Sequence, residues 1–186
     1  MIRSNTLRMQ RLVDDLLDLS RIESGGWVPN PVAADARAIA AEIAAELLDS
    51  ASAKGISIEI AVDAERSSVR ADRTALRQIL ANLLENAVRH SSGGTVTVRT
   101  TQVSGGVYVE VEDTGPGIRA EHLPRVFERF YRVETGRPQL TGGTGLGLAI
   151  VKHLAEAHGG HVRADSAVGR GTTVSVYFPD SPPEPK

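Results

Sequence analysis

The sequence predicts an α+β domain behind one long bundle-type helix, and three observations carry that reading. Helical and strand periodicities mix along the chain without the strict alternation that an all-parallel sheet would need. The alternating segments 95–101 and 107–111 are joined by Gly105-Gly106, as a hairpin requires. Residues 2 to about 24 carry a heptad-like apolar seam and are stopped by Gly25-Gly26.

In that first helix Ile2, Met9, Leu12, Leu16 and Leu19 form the seam, and Val13 and Leu17 widen it. A face this broad wants more than one partner helix, so self-association through the N-terminal helix is expected. Pro29 and Pro31 keep the following stretch extended, which makes 26–34 a linker and 35–179 the main domain. An alanine-rich helix runs from Asp35 to about Ala53, with Ile39, Ile43, Leu47 and Leu48 facing in. Residues 56–60 alternate as a strand, and a short strand surrounds Val69. Asp72 then caps a helix reaching His90. After the hairpin, 114–144 reads as irregular, a helix spans about 145–158, and strands lie near 161–166 and 172–178. The tail 180–186 is read as disordered.

Composition narrows the function classes. The chain has 186 residues, 41% of them apolar but only 4% aromatic, so its core is built from Ala, Val, Leu and Ile. Its 21 basic and 23 acidic residues are evenly mixed, which gives no electrostatic case for nucleic acid or for membrane contact by this fragment. The absence of cysteine excludes disulfide and thiolate chemistry and fits a reducing, cytoplasmic compartment. No apolar run of about 18 residues occurs, and no signal peptide is recognised.

Four segments carry chemistry. Gly142-Gly-Thr-Gly-Leu-Gly147-Leu148 leads straight into an apolar helical pattern; a glycine loop feeding a helix N-terminus aims unpaired amides at an anion, typically phosphate. On helix 72–90, Leu76, Ile79, Leu80, Leu83, Leu84, Ala87 and Val88 cover an apolar arc and leave Asn82, Glu85, Asn86 and Arg89 on a narrow polar face. Each asparagine there costs roughly 0.6 kcal/mol of helix propensity against alanine. The pair makes a site for a hydrated cation and phosphates, since magnesium prefers oxygen ligands; an ordinary solvated face is the plainer reading of the same residues. Asp113-Thr-Gly115-Pro-Gly117-Ile118 ends a strand in a glycine turn, where a carboxylate can accept from an exocyclic amine such as adenine's. The triplet Asp113-Thr114-Gly115 also occurs in aspartic proteases, but those need two such aspartates and this chain has one copy. Finally, Phe127, Phe130 and Tyr131 cluster before the polar stretch 133–141, an anchor where a lid could begin.

Taken together, order and spacing resemble the sensor histidine kinases of two-component systems. Asn82-Leu-Leu-Glu-Asn86-Ala resembles their asparagine box, Asp113-Thr-Gly-Pro-Gly117 the first glycine box, Phe127-Glu-Arg-Phe130 the phenylalanine box, and Gly143-Thr-Gly-Leu-Gly147-Leu the second glycine box. The opening stretch through Asp14-Asp-Leu-Leu-Asp-Leu-Ser-Arg-Ile-Glu23 resembles the second helix of their dimerisation and histidine-phosphotransfer hairpin. The resemblance implies a Bergerat-type α/β sandwich of the GHKL superfamily, a mixed sheet with helices on one face. It implies ATP and magnesium as ligands and a response regulator as partner, with a membrane-bound sensor as parent. By position, Asn86 would coordinate magnesium with Asn82 beside it, and Arg89 and His90 would approach phosphate or ribose. Asp113 would take the adenine amine in a pocket shaped by Gly115, Gly117 and Ile118. Gly143, Thr144, Gly145, Leu146, Gly147 and Leu148 would bring amides to the phosphates, with Phe130 at the lid.

The resemblance has one gap. None of the five histidines, His90, His122, His153, His158 and His161, has the acid and Thr/Ser-Pro that follow the family's phosphoacceptor. The fragment is therefore expected to bind Mg-ATP without phosphorylating itself; the family's proposed base, the acid beside the phosphoacceptor, is missing too, and Glu85 is a substitute that the resemblance does not assign. The alternatives are a non-catalytic nucleotide-binding module and another GHKL ATPase such as gyrase, a mismatch-repair protein or a heat-shock chaperone. Those ATPases lack the leading helix and the phenylalanine box, and the gyrase type places a glutamate where Asn82 stands. A dinucleotide-binding fold fails because no strand immediately precedes the glycine loop.

Overall fold

A five-stranded mixed sheet, in the order β2-β4-β5-β7-β6, carries the helices on its apolar face in the computed structural model. The structure describes residues 2–24, 26–63, 67–133 and 143–181; Gly142, most of the predicted lid and the tail from 182 lie outside the described residues. The strands are β1 (Val32–Asp35), β2 (Ile56–Ala61), β3 (Ser68–Ala71), β4 (Gly94–Val103), β5 (Gly106–Asp113), β6 (His161–Ala167) and β7 (Gly171–Pro179). The helices are α1 (Ile2–Glu23), α2 (Ala36–Ser52), α3 (Arg73–His90) and α4 (Gly147–Ala157), with a 3-10 turn at Leu123–Arg125. β2 and β4 pair in parallel, and the β4–β5, β5–β7 and β7–β6 pairs are antiparallel.

Period-two patterning decides which sheet face is covered. Val98 pairs with Val111, Val109 with Val176 and Val107 with Phe178, so the inward residues of three strands stack in register. Against them lie Leu76, Ile79, Leu80 and Leu84 of α3 and Ile150 and Leu154 of α4, all fully buried. The opposite face is a polar lattice: Arg99 pairs with Glu112, Thr101 Oγ1 donates to Glu110 at 2.9 Å, and Ser175 Oγ donates to the same carboxylate at 2.9 Å. These cross-strand pairs let one face of the antiparallel sheet meet water.

The predicted Asp72 cap forms, and Asp35, read as the first residue of the second helix, caps it instead. Asp35 accepts from the Ala38 amide, and Asp72 accepts from the amides of Thr74 and Ala75. Two details depart from expectation. Val32–Asp35, which runs from the end of the expected linker into the first residue of the expected domain, forms a strand paired antiparallel with β3. Leu48 is 61% exposed, because α2 turns Ile39 and Ile43 to the core and Leu47 only partly in, leaving its neighbour outside.

The junction between α1 and the domain is built on His158, which is buried between the rings of Trp27 and Phe178. Its Nδ1–H donates to the Leu154 carbonyl at 2.7 Å, and its Nε2 accepts from the Asp72 amide at 3.0 Å. Both ring nitrogens are thus used by the neutral tautomer, and burial lowers its pKa further. Asp72 Oδ2 also accepts from the Asn30 amide at 3.2 Å, tying the entry segment to the start of α3. Leu19 of the α1 seam is buried and Leu12 partly so, while Met9, Val13, Leu16 and Leu17 stay exposed; the Ile2 side chain lies outside the described residues.

Candidate functional site

The polar face of α3 and the first turn of α4 meet at one place. Leu83, Leu84, Ala87 and Val88 are buried, which rotates Asn82, Asn86 and Arg89 to a half-buried position on the other side of α3. Gly147 opens α4 so close to them that a Cβ there would lie 2.9 Å from Asn82 Oδ1 and 3.8 Å from Asn86 Nδ2. A Cβ on Gly143 would collide with the Arg89 guanidinium. Glycine at both positions lets the loop and the start of α4 lie directly against these side chains, which a larger residue would push aside. The α4 N-cap, Leu146, offers no side-chain oxygen to the first turn, and Ile150 is the first amide to pair inside the helix, with Leu146 O at 2.9 Å. Unpaired amides and the positive end of the helix dipole therefore face the asparagines.

The loop before α4 is held from two sides. Phe130 N–H donates to Gly145 O at 2.9 Å, with both residues at positive φ, 60° and 75°. Thr144 Oγ1 accepts from the Leu146 amide at 3.2 Å and donates to Asp15 Oδ2 of α1 at 2.8 Å. The long helix thus reaches the glycine loop directly, across 129 residues of sequence.

Asp113 closes the other end of the site, as the last residue of β5. Its Oδ1 accepts from the Gly115 amide at 2.8 Å. Burial pushes its pKa up, the backbone amides of Gly115 and Thr172 pull it back, and neighbouring Glu112 raises it again. The turn after it is pinned throughout. Thr114 Oγ1 accepts from the Thr95 amide at 2.9 Å, Ser166 Oγ accepts from Ile118 N at 2.8 Å, and Pro116 O accepts from the Gly169 amide at 2.8 Å. Gly117 sits at φ 72°, with the Ala167 carbonyl where a Cβ would be.

The predicted residues fall into two linked groups. Asn82, Asn86, Arg89, Gly143, Thr144, Gly145, Gly147 and Leu148 surround the α3–α4 meeting point, and Asp113, Gly115, Gly117 and Ile118 form the turn at the sheet end. Four details refine the expectation. Leu146 is a fully buried core residue, so only its backbone belongs to the loop. Phe130 is 57% exposed, and its backbone rather than its ring is tied to the glycine loop; the ring held in place is that of Tyr131, whose hydroxyl lies 2.7 Å from His122 Nδ1 under the Arg125 guanidinium. Glu85 is exposed and paired with Arg89 at 3.5 Å. His90 sits at the end of α3, where desolvation, then the charges of Arg89, Lys54 and Arg132, lower its pKa; the ring edge is nevertheless exposed. Lys54 Nζ, which the sequence did not single out, caps that helix end by donating to Val88 O and Arg89 O, both at 2.8 Å.

An anion fits here better than a self-contained metal centre. Among the described residues no three His, Cys, Asp or Glu side chains converge. Asn82 and Asn86 offer only amide oxygens, the hard donors that suit a magnesium ion completed by phosphate and water. Two hollows of about 590 and 250 Å³, one between α2 and β2 and one beneath Trp27, include none of the predicted site residues. The predicted site lies apart from both hollows.

Comparison with known proteins agrees with this geometry. Residues 71–182 match the family described as histidine kinase-, DNA gyrase B-, and HSP90-like ATPase. The sensor-like histidine kinase SenX3 of Mycolicibacterium smegmatis is 37% identical over 177 residues, covering 94% of this chain and 46% of that protein. The phosphate regulon sensor protein PhoR of Pseudomonas aeruginosa is 37% identical over 174 residues, covering 92% of this chain and 39% of its own length. This chain therefore spans less than half of the curated relatives it matches. The crystal structure of full-length ShkA in complex with AMPPNP superposes with a TM-score of 0.84 at 31% identity, over 97% of this chain and 38% of that one. With the asparagine helix, the glycine loop and the strand-end aspartate in place, the chain belongs to the histidine kinase-, DNA gyrase B- and HSP90-like ATPase family and carries the ATPase domain of a sensor histidine kinase.

Proposed function

We propose that this chain is the ATP-binding catalytic core of a two-component sensor histidine kinase, which passes the γ-phosphoryl group of ATP to a histidine on a helix outside this sequence. The observation that carries the reading is the approach of Gly147 to Asn82 and Asn86, which brings the uncapped first turn of α4 against both asparagine side chains. The polyphosphate would lie along the first turn of α4, with Arg89 beside it, and the adenine amine would reach Asp113. Asn86, with Asn82 close by, would hold a magnesium ion, which when bound would supply positive charge against the polyphosphate. Such transfer is driven mostly by positioning and electrostatics, which a pinned turn and a helix N-terminus supply. No general base is assigned to this chain, since Glu85 is paired with Arg89.

Calorimetric titration with a non-hydrolysable ATP analogue, with and without magnesium, tests the reading. Magnesium-dependent binding is expected, and its absence would favour a scaffold that has lost nucleotide. The cognate response regulator would receive the phosphoryl group in the cytoplasm. No helix among the described residues is long and apolar enough to cross a membrane.

The exposed stripe on α1 bears on assembly. Met9 is 67%, Val13 55%, Leu16 43% and Leu17 53% exposed, an apolar face that a second copy would cover. Light scattering should give a dimer for the wild type and a monomer for Leu16→Glu/Leu17→Glu. A wild-type monomer at high concentration would remove α1 from assembly.

A further inference from the structure

Beside the aspartate turn stands a polar group that nothing in the described structure satisfies. Ser91 ends α3 in extended conformation (φ −86°, ψ 151°), with its amide bonded to Ala87 O at 3.0 Å. That conformation turns its side chain inward, where it is 2% exposed, and its Oγ has no hydrogen-bond partner among the described residues. Buried hydroxyls almost always have a partner, so an orphan asks what completes it.

Its neighbourhood answers. A Cβ on Gly115 would lie 2.9 Å from Ser91 Oγ and 2.7 Å from Asp113 Oδ1, so the two oxygens flank one point. Only glycine leaves that gap open. A serine hydroxyl has a single donor and turns about one bond. Facing a carboxylate, its favourable orientation is donation. The carboxylate already holds the Gly115 amide at 2.8 Å and has acceptor capacity to spare.

We propose that Ser91 is a positioning residue for base recognition, its hydroxyl donating to the Asp113 carboxylate as a purine amine engages that carboxylate. The inference rests on the reading of Asp113 as the acceptor for the adenine amine. The hydroxyl would keep the carboxylate ionised and turned toward the base, favouring a 6-amino purine over one without the amine. It also accounts for the orphan, whose bond to the carboxylate would form as the ligand turns that carboxylate toward the base. A hydrogen bond from a neutral donor to a charged acceptor is among the stronger kinds, so its loss is readable.

The experiment is calorimetry on the full chain, wild type and Ser91→Ala, with two probes: a non-hydrolysable ATP analogue and the same analogue built on unsubstituted purine, lacking the 6-amino group. Ser91→Ala is expected to weaken the adenine probe about tenfold and to leave the purine probe unchanged. The acid limb of adenine binding should also move to higher pH in the variant, because the ionised carboxylate has lost a donor. Ser91→Cys keeps nearly the volume with a weak donor and should behave as Ser91→Ala does, which covers the case in which alanine leaves a damaging void. Equal losses for both probes, or no loss for either, would overturn the role of Ser91. Failure of the wild type to bind either probe would instead overturn the ATP-binding reading on which it rests.

Discussion

Asp113→Asn should weaken binding of an ATP analogue by roughly 10- to 100-fold while leaving the fold intact, the loss expected of a charge-assisted hydrogen bond. The reason lies in how the carboxylate is already used. Oδ1 is committed to the Gly115 amide at 2.8 Å, so the purine amine must be met by the remaining acceptor capacity. An asparagine has one oxygen where the aspartate has two. Either its amide nitrogen faces the Gly115 N–H, loosening the turn, or it faces the purine amine, opposing donor to donor. Binding should also carry an acid limb in the wild type that the variant lacks. Burial raises the Asp113 pKa above its usual 3.8, so affinity should begin to fall at a higher pH than for an exposed carboxylate. The folding linkage has the opposite sign: the raised native pKa makes the folded state bind protons more tightly, so this group's contribution to stability decreases as pH rises from 3.8 through the native value. Calorimetry across pH on both proteins checks the first effect and urea denaturation the second. Unchanged affinity in Asp113→Asn would remove the carboxylate from the base site.

Both halves of the site were legible in the sequence because each rests on a local rule. Asn82 and Asn86 stand out since the helix period leaves them on the one strip that Leu83, Leu84 and Ala87 do not fill. Asp113 stands out because β alternation stops there in a glycine turn. What escaped notice is non-local or locally weak. The strand Val32–Asp35 consists of one valine, two alanines and an aspartate, and its pairing with β3 decides its conformation against its propensity. The parallel pairing of β2 with β4 follows from a connection through β3 and α3, which no turn signal announces. Ser166, which holds the Ile118 amide, and Asp15, which holds Thr144, act across 48 and 129 residues and look like ordinary surface polar residues until the chain is folded.

The same comparison explains why the site is divided between rigid and adjustable parts. The base end is the terminus of a β ladder, fixed by Thr95, Ser166 and the 168–170 turn. The phosphate end is a loop tied by single hydrogen bonds to Phe130 and to α1. On the proposed reading, a nucleotide would meet a preset aspartate, while the loop proposed to take its phosphates is bonded to α1. Asp15 is thus placed to couple helix position to loop position, with one hydroxyl between them.

Gly171→Ala should destabilise the protein by about 3 kcal/mol and abolish tight nucleotide binding with it. Gly171 opens β7 at φ 96°, a conformation that costs an L-residue energy before any contact is considered. An added Cβ would also run into the Asp113 carbonyl oxygen and lie 3.0 Å from Thr114 Cα. Both obstacles are backbone, so no side chain can swing aside; β7 must move away from β5 where Asp113 pairs with Thr172. That shift would carry the Gly115 amide and the carboxylate out of register together. Gly169, two residues earlier, supplies the control. It has a similar φ of 78° but nothing within 4 Å of its Cβ position, so Gly169→Ala should cost only about 1 kcal/mol and preserve binding. Urea denaturation and nucleotide titration on the two variants separate steric intrusion at the site from backbone conformation alone. Equal, mild effects would mean that β7 does not pack against the aspartate turn as closely as the ladder requires, and the base end of the site would lose its rigid wall.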